Sequence, residues 1–325
     1  MPSRRFSVAP MMDWTNRHCR FFHRLLSCNA LLYSEMVTTG ALLHGDIERH
    51  LAYSQCEHPL ALQLGGSDPK ALAHCAALAE EWGYDEVNLN CGCPSDRVQS
   101  GRFGACLMAE PALVRDCVKA MLDTTSLPVT VKCRIGIDNQ NSQSALDDFI
   151  GQVSEAGCNR FIIHARKAWL DGLSPKENRD IPPLDYPRVR QLKADSPSLE
   201  IILNGGIQSI EQAKGALEWA DGVMMGRSAY QDPWLLTHVD QDLFNRKTQR
   251  DMQSVIESLV LYAENLRHKG LPIKLLTRHI LGLFNGQKGA RRWRRYLSEH
   301  AQNKEAEPKI IHLAAASVLP DISFV

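Results

Sequence analysis

Eight short apolar runs recur through the first 226 residues, one about every 28 residues, the length of a single βα step. They are Phe6–Pro10, Leu31–Glu35, Leu60–Leu64, Glu86–Asn90, Pro128–Cys133, Arg160–His164, Glu200–Asn204 and Gly222–Gly226. Each is rich in Val, Ile and Leu and apolar almost throughout, as a strand buried on both faces should be. Between them lie longer amphipathic stretches. Pro69–Trp82 follows the capping pair Ser67-Asp68 and stops at Gly83, and Pro111–Leu122, Ser144–Ala156 and Ser209–Trp219 read the same way. Alternating strand and helix favours a parallel sheet. Eight repeats predict a closed (β/α)8 TIM barrel, an α/β fold, over a doubly wound sheet. No Gly-x-Gly-x-x-Gly follows the first strand, so the dinucleotide-binding form of the rival fold lacks its signature.

From about Gln241 the pattern changes. Asp251–Lys269, Ile273–Asn285, Ala290–His300 and Lys309–Val318 read as helices with no strand between them, punctuated by Gly270, Pro272, Gly286, Gly289 and Pro308. The expected division is a barrel over residues 1–240 and an all-helical domain over 241–325. The 325 residues, with 44% hydrophobic and 23% charged side chains, exclude a disordered, collagen-like or coiled-coil chain. The net charge of zero conceals a split. Arg246 to Val325 hold 14 Lys and Arg against 7 Asp and Glu, while the other 245 residues hold 23 against 30. A basic helical region joined to a mildly acidic barrel leaves room for an anionic partner.

No run of about 18 apolar residues is present, so no membrane span is expected. Met1 to Ser7 is polar and has no signal core. The ten cysteines are scattered, several inside apolar patterns, which fits reduced thiols and a cytoplasmic protein. The single Cys-x-Cys, Cys91 and Cys93, is poor evidence for metal, and no metal site is expected.

Barrel enzymes gather their chemistry at the C-terminal ends of the strands. Those ends carry Ala9-Pro10-Met11, Glu35-Met36, Gln63 before Gly65-Gly66, Asn88 and Asn90 before Cys91-Gly92-Cys93-Pro94-Ser95, Lys132 and Arg134, His164 and Arg166, Asn204-Gly205-Gly206, and Gly226-Arg227. A purely structural barrel needs far fewer polar groups there. The glycines after the seventh and eighth strands let backbone N–H groups approach a phosphate, and Arg227 adds a guanidinium. Lys132 and His164 then lie toward the rest of a phosphorylated cofactor, and Gln63 and Asn90 offer amide hydrogen bonds to its polar rim. Cys93, fixed between Gly92 and Pro94, could be a nucleophile, an acid or a ligand; Cys91 reads as a small residue packed beneath the loop.

These motifs, in order and at matching intervals over nearly the whole chain, resemble the tRNA-dihydrouridine synthases. The resemblance rests on Ala9-Pro10-Met11, Glu35-Met36-Val37, Leu62 to Gly66, Asn88 to Ser95, Gly101 with Gly104-Ala105, Val131-Lys132, His164-Ala165-Arg166, Asn204 to Ile207 and Gly226-Arg227. Ser7–Trp14, His164–Pro183 and Arg278–Glu299 resemble the bacterial A-type subfamily, which modifies D-loop uridines 20 and 20a; Cys91 stands where that subfamily usually has an apolar residue. The resemblance implies FMN held by Ala9, Pro10, Met11, Gln63, Lys132, His164, Asn204, Gly205, Gly206, Gly226 and Arg227, and NADPH as electron donor. It implies that hydride passes to uracil C6 and that Cys93 protonates C5. A thiol at its ordinary pKa of ~8.5 still carries its proton at pH 7, which suits an acid. The tRNA is expected to meet Asn90 at the flipped base, Lys176 and Arg179 after the sixth strand, and Arg291, Arg292, Arg294 and Arg295 around Trp293. That cluster interleaves guanidiniums with an aromatic, a pattern suited to phosphate contact and base stacking. No obligate protein partner is evident. Without the helical region, the same barrel motifs would also suit an FMN reductase acting on a small pyrimidine or enone.

Overall fold

The computed structural model describes residues 3–95, 101–247 and 250–319. Met1 and Pro2 of the N-terminal segment, and residues 248–249 and 320–325 of the expected helical domain, lie outside the described residues. The chain divides into two compact units. One comprises Met1–Met12 with Leu31–Gly226, and the other Asp13–Ala30 with Arg227–Val325. The boundary expected at 240/241 falls inside the second unit, within the helix Val239–Phe244.

The first unit is the eight-stranded parallel barrel. Its strands are β1 (Phe6–Val8), β2 (Leu32–Thr38), β3 (Leu60–Gly65), β4 (Glu86–Cys91), β5 (Val129–Arg134), β6 (Arg160–His164), β7 (Glu200–Asn204) and β8 (Gly222–Met225). All eight runs read from the sequence are strands. The sheet runs β1-β8-β7-β6-β5-β4-β3-β2. A parallel bridge between Ser7 and Leu31 brings its two ends together, with Val8 N donating to the Leu31 carbonyl at 3.0 Å and Leu31 N to that of Phe6 at 3.1 Å.

The crossover helices form where local chemistry starts them. Asp68 accepts from Ala71 N to cap Pro69–Glu81, and Asn141 accepts from Gln143 N and Ser144 N to cap Ser142–Glu155. On Pro111–Leu122 the buried residues Val114, Cys117, Val118 and Met121 recur at i, i+3, i+4 and i+7, one apolar stripe laid against the sheet. All ten cysteines are free thiols. Cys91 and Cys133, register partners on β4 and β5, are fully buried, and burial pushes the Cys133 thiol up to about 12.

One expectation about the strands needs refinement. β4 is not uniformly apolar: Glu86, Asn88 and Asn90 alternate with Val87, Leu89 and Cys91, and all six are buried. Successive strand residues point to opposite faces, so β4 turns one polar face and one apolar face. The polar face meets polar partners on β3 and β5. The apolar interior cluster of Ala9, Leu31, Tyr33, Ala61, Ile162, Ile202 and Met224 fills the remaining volume.

The second unit is helical in every element described. Its helices include Arg17–Leu26, Val239–Phe244, Met252–His268, Ala290–His300 and Ile310–Ala316. The buried Asp240 carboxylate accepts from Ser27 Oγ at 2.6 Å, Cys28 N at 2.7 Å and Asn29 N at 3.0 Å, which binds the turn after Arg17–Leu26 to Val239–Phe244. The helix expected over Ile273–Asn285 is only Lys274–Thr277, followed by turns. The Ile280 carbonyl accepts from Trp293 Nε1 and from Leu283 N, three residues on, in place of a helical i+4 partner. A Cβ on Gly282 would lie 2.6 Å from the Gln231 carbonyl oxygen, so the chain there passes closer to its neighbour than a helix side chain would permit.

Candidate active site at the barrel mouth

The C-terminal ends of β3 to β7 bring Gln63, Asn90, Cys93, Lys132, Arg134, His164 and Asn204 to one rim. Asn90 pairs with Lys132 across β4 and β5, Arg134 with His164 across β5 and β6, and His164 with Asn204 across β6 and β7. The strand-end residues named from the sequence therefore stand side by side.

The Cys93 loop is held from several directions. Gly92 N and Cys93 N both donate to Asn90 Oδ1 at 3.0 Å. The Gly92 carbonyl accepts from Arg134 Nε at 3.1 Å, and the Cys93 carbonyl from Ala105 N at 2.9 Å. The Cys93 thiol is half-buried and lies 3.6 Å from Ser95 Oγ. Both side-chain polar atoms of Asn90 are engaged, since its amide donates to Gln63 Oε1 at 2.9 Å, which leaves one amide hydrogen for a ligand.

The rim is rich in basic side chains. Among the described residues, no carboxylate pairs with Lys132, Arg134 or His164. Arg134 donates to the carbonyls of Gly92, Lys167 and Asn178. Burial, reinforced by Arg134, lowers Lys132 to about 8. Burial, then Cys93 and neighbouring arginines, leaves Arg134 at about 10. Burial followed by the charges of Arg134, Lys132, Arg166 and Arg179 holds His164 well below its ordinary value, so at pH 7 it is neutral. A site that gathers desolvated cations with no described carboxylate partner is suited to receive an anion.

The turn after β7 completes this preference. Gly205 and Gly206 have φ of +107° and +72°. A Cβ on Gly205 would lie 2.6 Å from His164 Cδ2, and one on Gly206 2.4 Å from Leu184 Cδ1. Only glycine satisfies both the conformation and the space. Tyr186 Oη donates to the Gly205 carbonyl at 2.6 Å, and Asn204 Nδ2 to the Met224 carbonyl at 2.9 Å, so the turn is pinned from both sides. Ala9 N donates to the Met225 carbonyl at 2.8 Å, which sets Ala9-Pro10-Met11 beside the end of β8. Gly226 follows β8, and Arg227 opens the helix Arg227–Gln231. Tested against FMN, the rim offers the right chemistry: a lysine with no described partner, a neutral imidazole, an amide donor at Gln63 and a glycine turn for a phosphate.

After β6, Lys176 and Arg179 are exposed, and Arg179 lies close enough to act on His164. The intervening loop is organised by the buried Asn178, whose amide donates to the Trp169 and Leu173 carbonyls and whose oxygen accepts from Trp169 N. In the helical unit, Arg291, Arg292, Arg294 and Arg295 are all exposed. At 100° per residue they share an arc of about 160° opposite Trp293. The stacking role expected of that aromatic is corrected: Trp293 is fully buried, donates through Nε1 to the Ile280 carbonyl at 3.0 Å and packs edge-on against Phe284. It positions the arginine face and offers no ring to a base.

The chain matches the dihydrouridine synthase (Dus) family over residues 7–318. It belongs to that family. Similar proteins include the tRNA-dihydrouridine(20/20a) synthases of Escherichia coli O6:H1, 61% identical over 96% of this chain and 95% of that protein, and of Shewanella oneidensis, 60% identical over 98% and 95%. That of Yersinia pestis is 59% identical over 98% of this chain and 93% of its own. Membership in this family makes the chain an enzyme, a flavin-dependent oxidoreductase, and gives the acid-poor rim its meaning. Sequence reasoning missed Glu86 and Thr130, which lie beneath the rim and are joined to it through Asn88 and Gln63. The polar alternation within β4 was the signal for Glu86.

Proposed function

We propose that the protein reduces uridine to 5,6-dihydrouridine in the D-loop of tRNA, at positions 20 and 20a, with FMN as cofactor and NADPH as electron donor. The observation that carries this reading is the meeting of the half-buried Cys93 thiol with the buried cations Lys132 and Arg134 in a chain about 60% identical to synthases of that specificity. FMN, once reduced by NADPH, supplies the hydride that adds to uracil C6. Lys132 and the neutral His164 hold the ring system. Asn204, Gly205, Gly206, Gly226 and Arg227 receive the phosphate, Ala9 to Met11 line the other side, and Gln63 donates an amide hydrogen to the polar edge. Cys93 holds a proton and delivers it to C5 of the base. Asn90 keeps the Cys93 loop in place and offers its remaining amide hydrogen to the extruded uracil. A base must leave its stack to reach this rim.

Lys176 and Arg179, beside the rim, and Arg291, Arg294 and Arg295, in the helical unit, contact phosphates of the tRNA. This substrate places the enzyme in the cytoplasm, and among the described residues no helix is long and apolar enough to cross a membrane. The test is a position-by-position map of dihydrouridine in tRNA from a strain lacking the gene. Loss at 20 and 20a, restored by the purified flavin-bearing enzyme with NADPH, is expected. Retention at both positions, or a purified protein that does not bind FMN, overturns the reading.

A further inference from the structure

The barrel interior contains an unbroken line of side-chain hydrogen bonds from its floor to the Cys93 loop. At the floor, the fully buried Glu86 carboxylate is paired with Arg4, whose Nε lies 2.6 Å from Oε2. Its other oxygen accepts from Tyr33 Oη and from Thr130 Oγ1, each at 2.6 Å. Thr130 Oγ1 accepts in turn from Asn88 Nδ2 at 2.8 Å, Asn88 Oδ1 from Gln63 Nε2 at 2.8 Å, and Gln63 Oε1 from Asn90 Nδ2 at 2.9 Å. Asn90 Oδ1 then accepts the backbone N–H groups of Gly92 and Cys93.

The two ends of this line dictate its direction. A carboxylate paired with arginine accepts only, and a backbone N–H donates only. Every donor between them therefore points toward the floor, and the orientations of three amides are fixed. Turning Asn90 over would aim its NH2 at two N–H groups and its oxygen at that of Gln63. Turning Gln63 to compensate passes the conflict to Asn88 and then to Thr130, which would have to give up Glu86. In so buried an interior such a conflict is costly, and a fully satisfied chain is correspondingly rigid.

We propose that Glu86, Thr130 and Asn88 are positioning residues for the reaction, acting through Gln63 and Asn90 to hold the Cys93 loop in its productive place. The chain also presents Gln63 to the cofactor as a donor, because its oxygen and one amide hydrogen are already committed. The catalytic half of this proposal rests on the reading of Cys93 as proton donor; the structural half does not.

Thr130→Val keeps shape and removes the link. Tyr33→Phe removes a hydrogen bond of the same length to the same Glu86 oxygen, but Tyr33 is not on the line. Two readouts follow: site-resolved alkylation of Cys93 in the resting enzyme without tRNA or NADPH, and kcat and KM for tRNA. Thr130→Val is expected to change the Cys93 alkylation rate about five- to tenfold and to lower kcat by about tenfold with KM within about twofold. Thr130→Ser is expected to restore both, and Tyr33→Phe to leave Cys93 alkylation at the wild-type rate. If Thr130→Val does not accumulate as folded protein, Asn88→Asp, which can accept from Gln63 but cannot donate to Thr130, carries the same expectation. Wild-type alkylation in the link variant overturns the proposal, as does Tyr33→Phe behaving like Thr130→Val or Thr130→Ser failing to rescue. Altered alkylation together with full turnover in Cys93→Ala would refute the acid role and leave the positioning chain standing.

Discussion

The floor and the mouth of the barrel both concentrate charge, and they treat it in opposite ways. At the floor the buried charges meet opposite charge: Arg4 pairs with the fully buried Glu86 at 2.6 Å, and the half-buried Arg160 with Glu200 at 2.8 Å. At the mouth Lys132, Arg134 and His164 have no acidic partner among the described residues, and Lys132 falls to about 8. A folded chain without ligand gains nothing from cations left in this condition. The floor charges are satisfied within the fold itself, whereas the mouth is suited to an anion that arrives later.

The most severe way to break this comparison is to substitute at each end and ask which property fails. Cys93→Ala should lower uridine reduction by about 100- to 10,000-fold, the usual worth of a positioned proton donor. FMN binding and NADPH oxidation should persist, and the melting temperature should stay near wild type, because the half-buried thiol supports little packing. Glu86→Ala should instead cost up to about 3–5 kcal/mol of stability, since it leaves the buried Arg4 with only the 4.0 Å contact to Glu200. Chemical denaturation with flavin removed reads this directly. A Glu86→Ala protein of normal stability would mean that the floor pair contributes nothing.

Lys132→Met sharpens the contrast, because its two effects have opposite signs. Removing a desolvated cation with no partner should raise the stability of the apoprotein by on the order of 1 kcal/mol. The same variant should bind FMN at least about tenfold more weakly. The pH dependence follows from the lowered pKa. Lys132 titrates near 10.4 in the unfolded chain and at about 8 in the folded one. Between those values the unfolded state binds the extra proton, so Lys132 contributes stability that rises with pH across this window, against the opposite contribution of buried thiols such as Cys133. FMN affinity should fall as pH climbs through 8, because the cation that receives the ligand disappears. Lys132→Met should remove the Lys132 contribution to both, so its stability advantage over the wild-type apoprotein should shrink between pH 8 and 10; an advantage that stays constant over that range contradicts the assignment.

The difference between floor and mouth also explains what could be read in the sequence. The eight strands were legible because runs buried on both faces carry a strong, repeated apolar signal. Lys132, His164 and the Asn204-Gly205-Gly206 turn were legible because barrels place chemistry at strand ends. Glu86 and Thr130 stand at the other end of their strands, where a polar residue reads as a boundary. Nothing local says that Glu86 meets Arg4 and Tyr33, which lie 82 and 53 residues away. The placement of Asp13–Ala30 with the helical unit was illegible for a similar reason. The segment sits where a barrel crossover helix belongs, and its partner is revealed by contacts such as those of Ser27, Cys28 and Asn29 with Asp240 and the stacking of Phe21 on Tyr262. Trp293 was misread because a tryptophan among arginines looks exposed until the helical period is applied.

Paired and unpaired cations recur in the helical unit on a smaller scale. Arg20 and Arg24 are buried and donate to the carbonyls of Thr15, Ser27 and Ala30. Arg291, Arg292 and Arg294 are exposed with no partner among the described residues, while Arg295 lies 3.9 Å from Glu299. Exposed arginines on one face add little to stability, so Arg291→Ala with Arg294→Ala should leave the melting temperature within a degree or two. If this face grips the tRNA backbone, each lost phosphate contact should reduce the dependence of log affinity on log salt by roughly one unit. Arg295→Ala should change the slope less, because its guanidinium is already shared with Glu299. Equal slopes for the wild type and the double variant would move the tRNA contact elsewhere and leave Lys176 and Arg179, beside the mouth, as the cations that meet the nucleic acid.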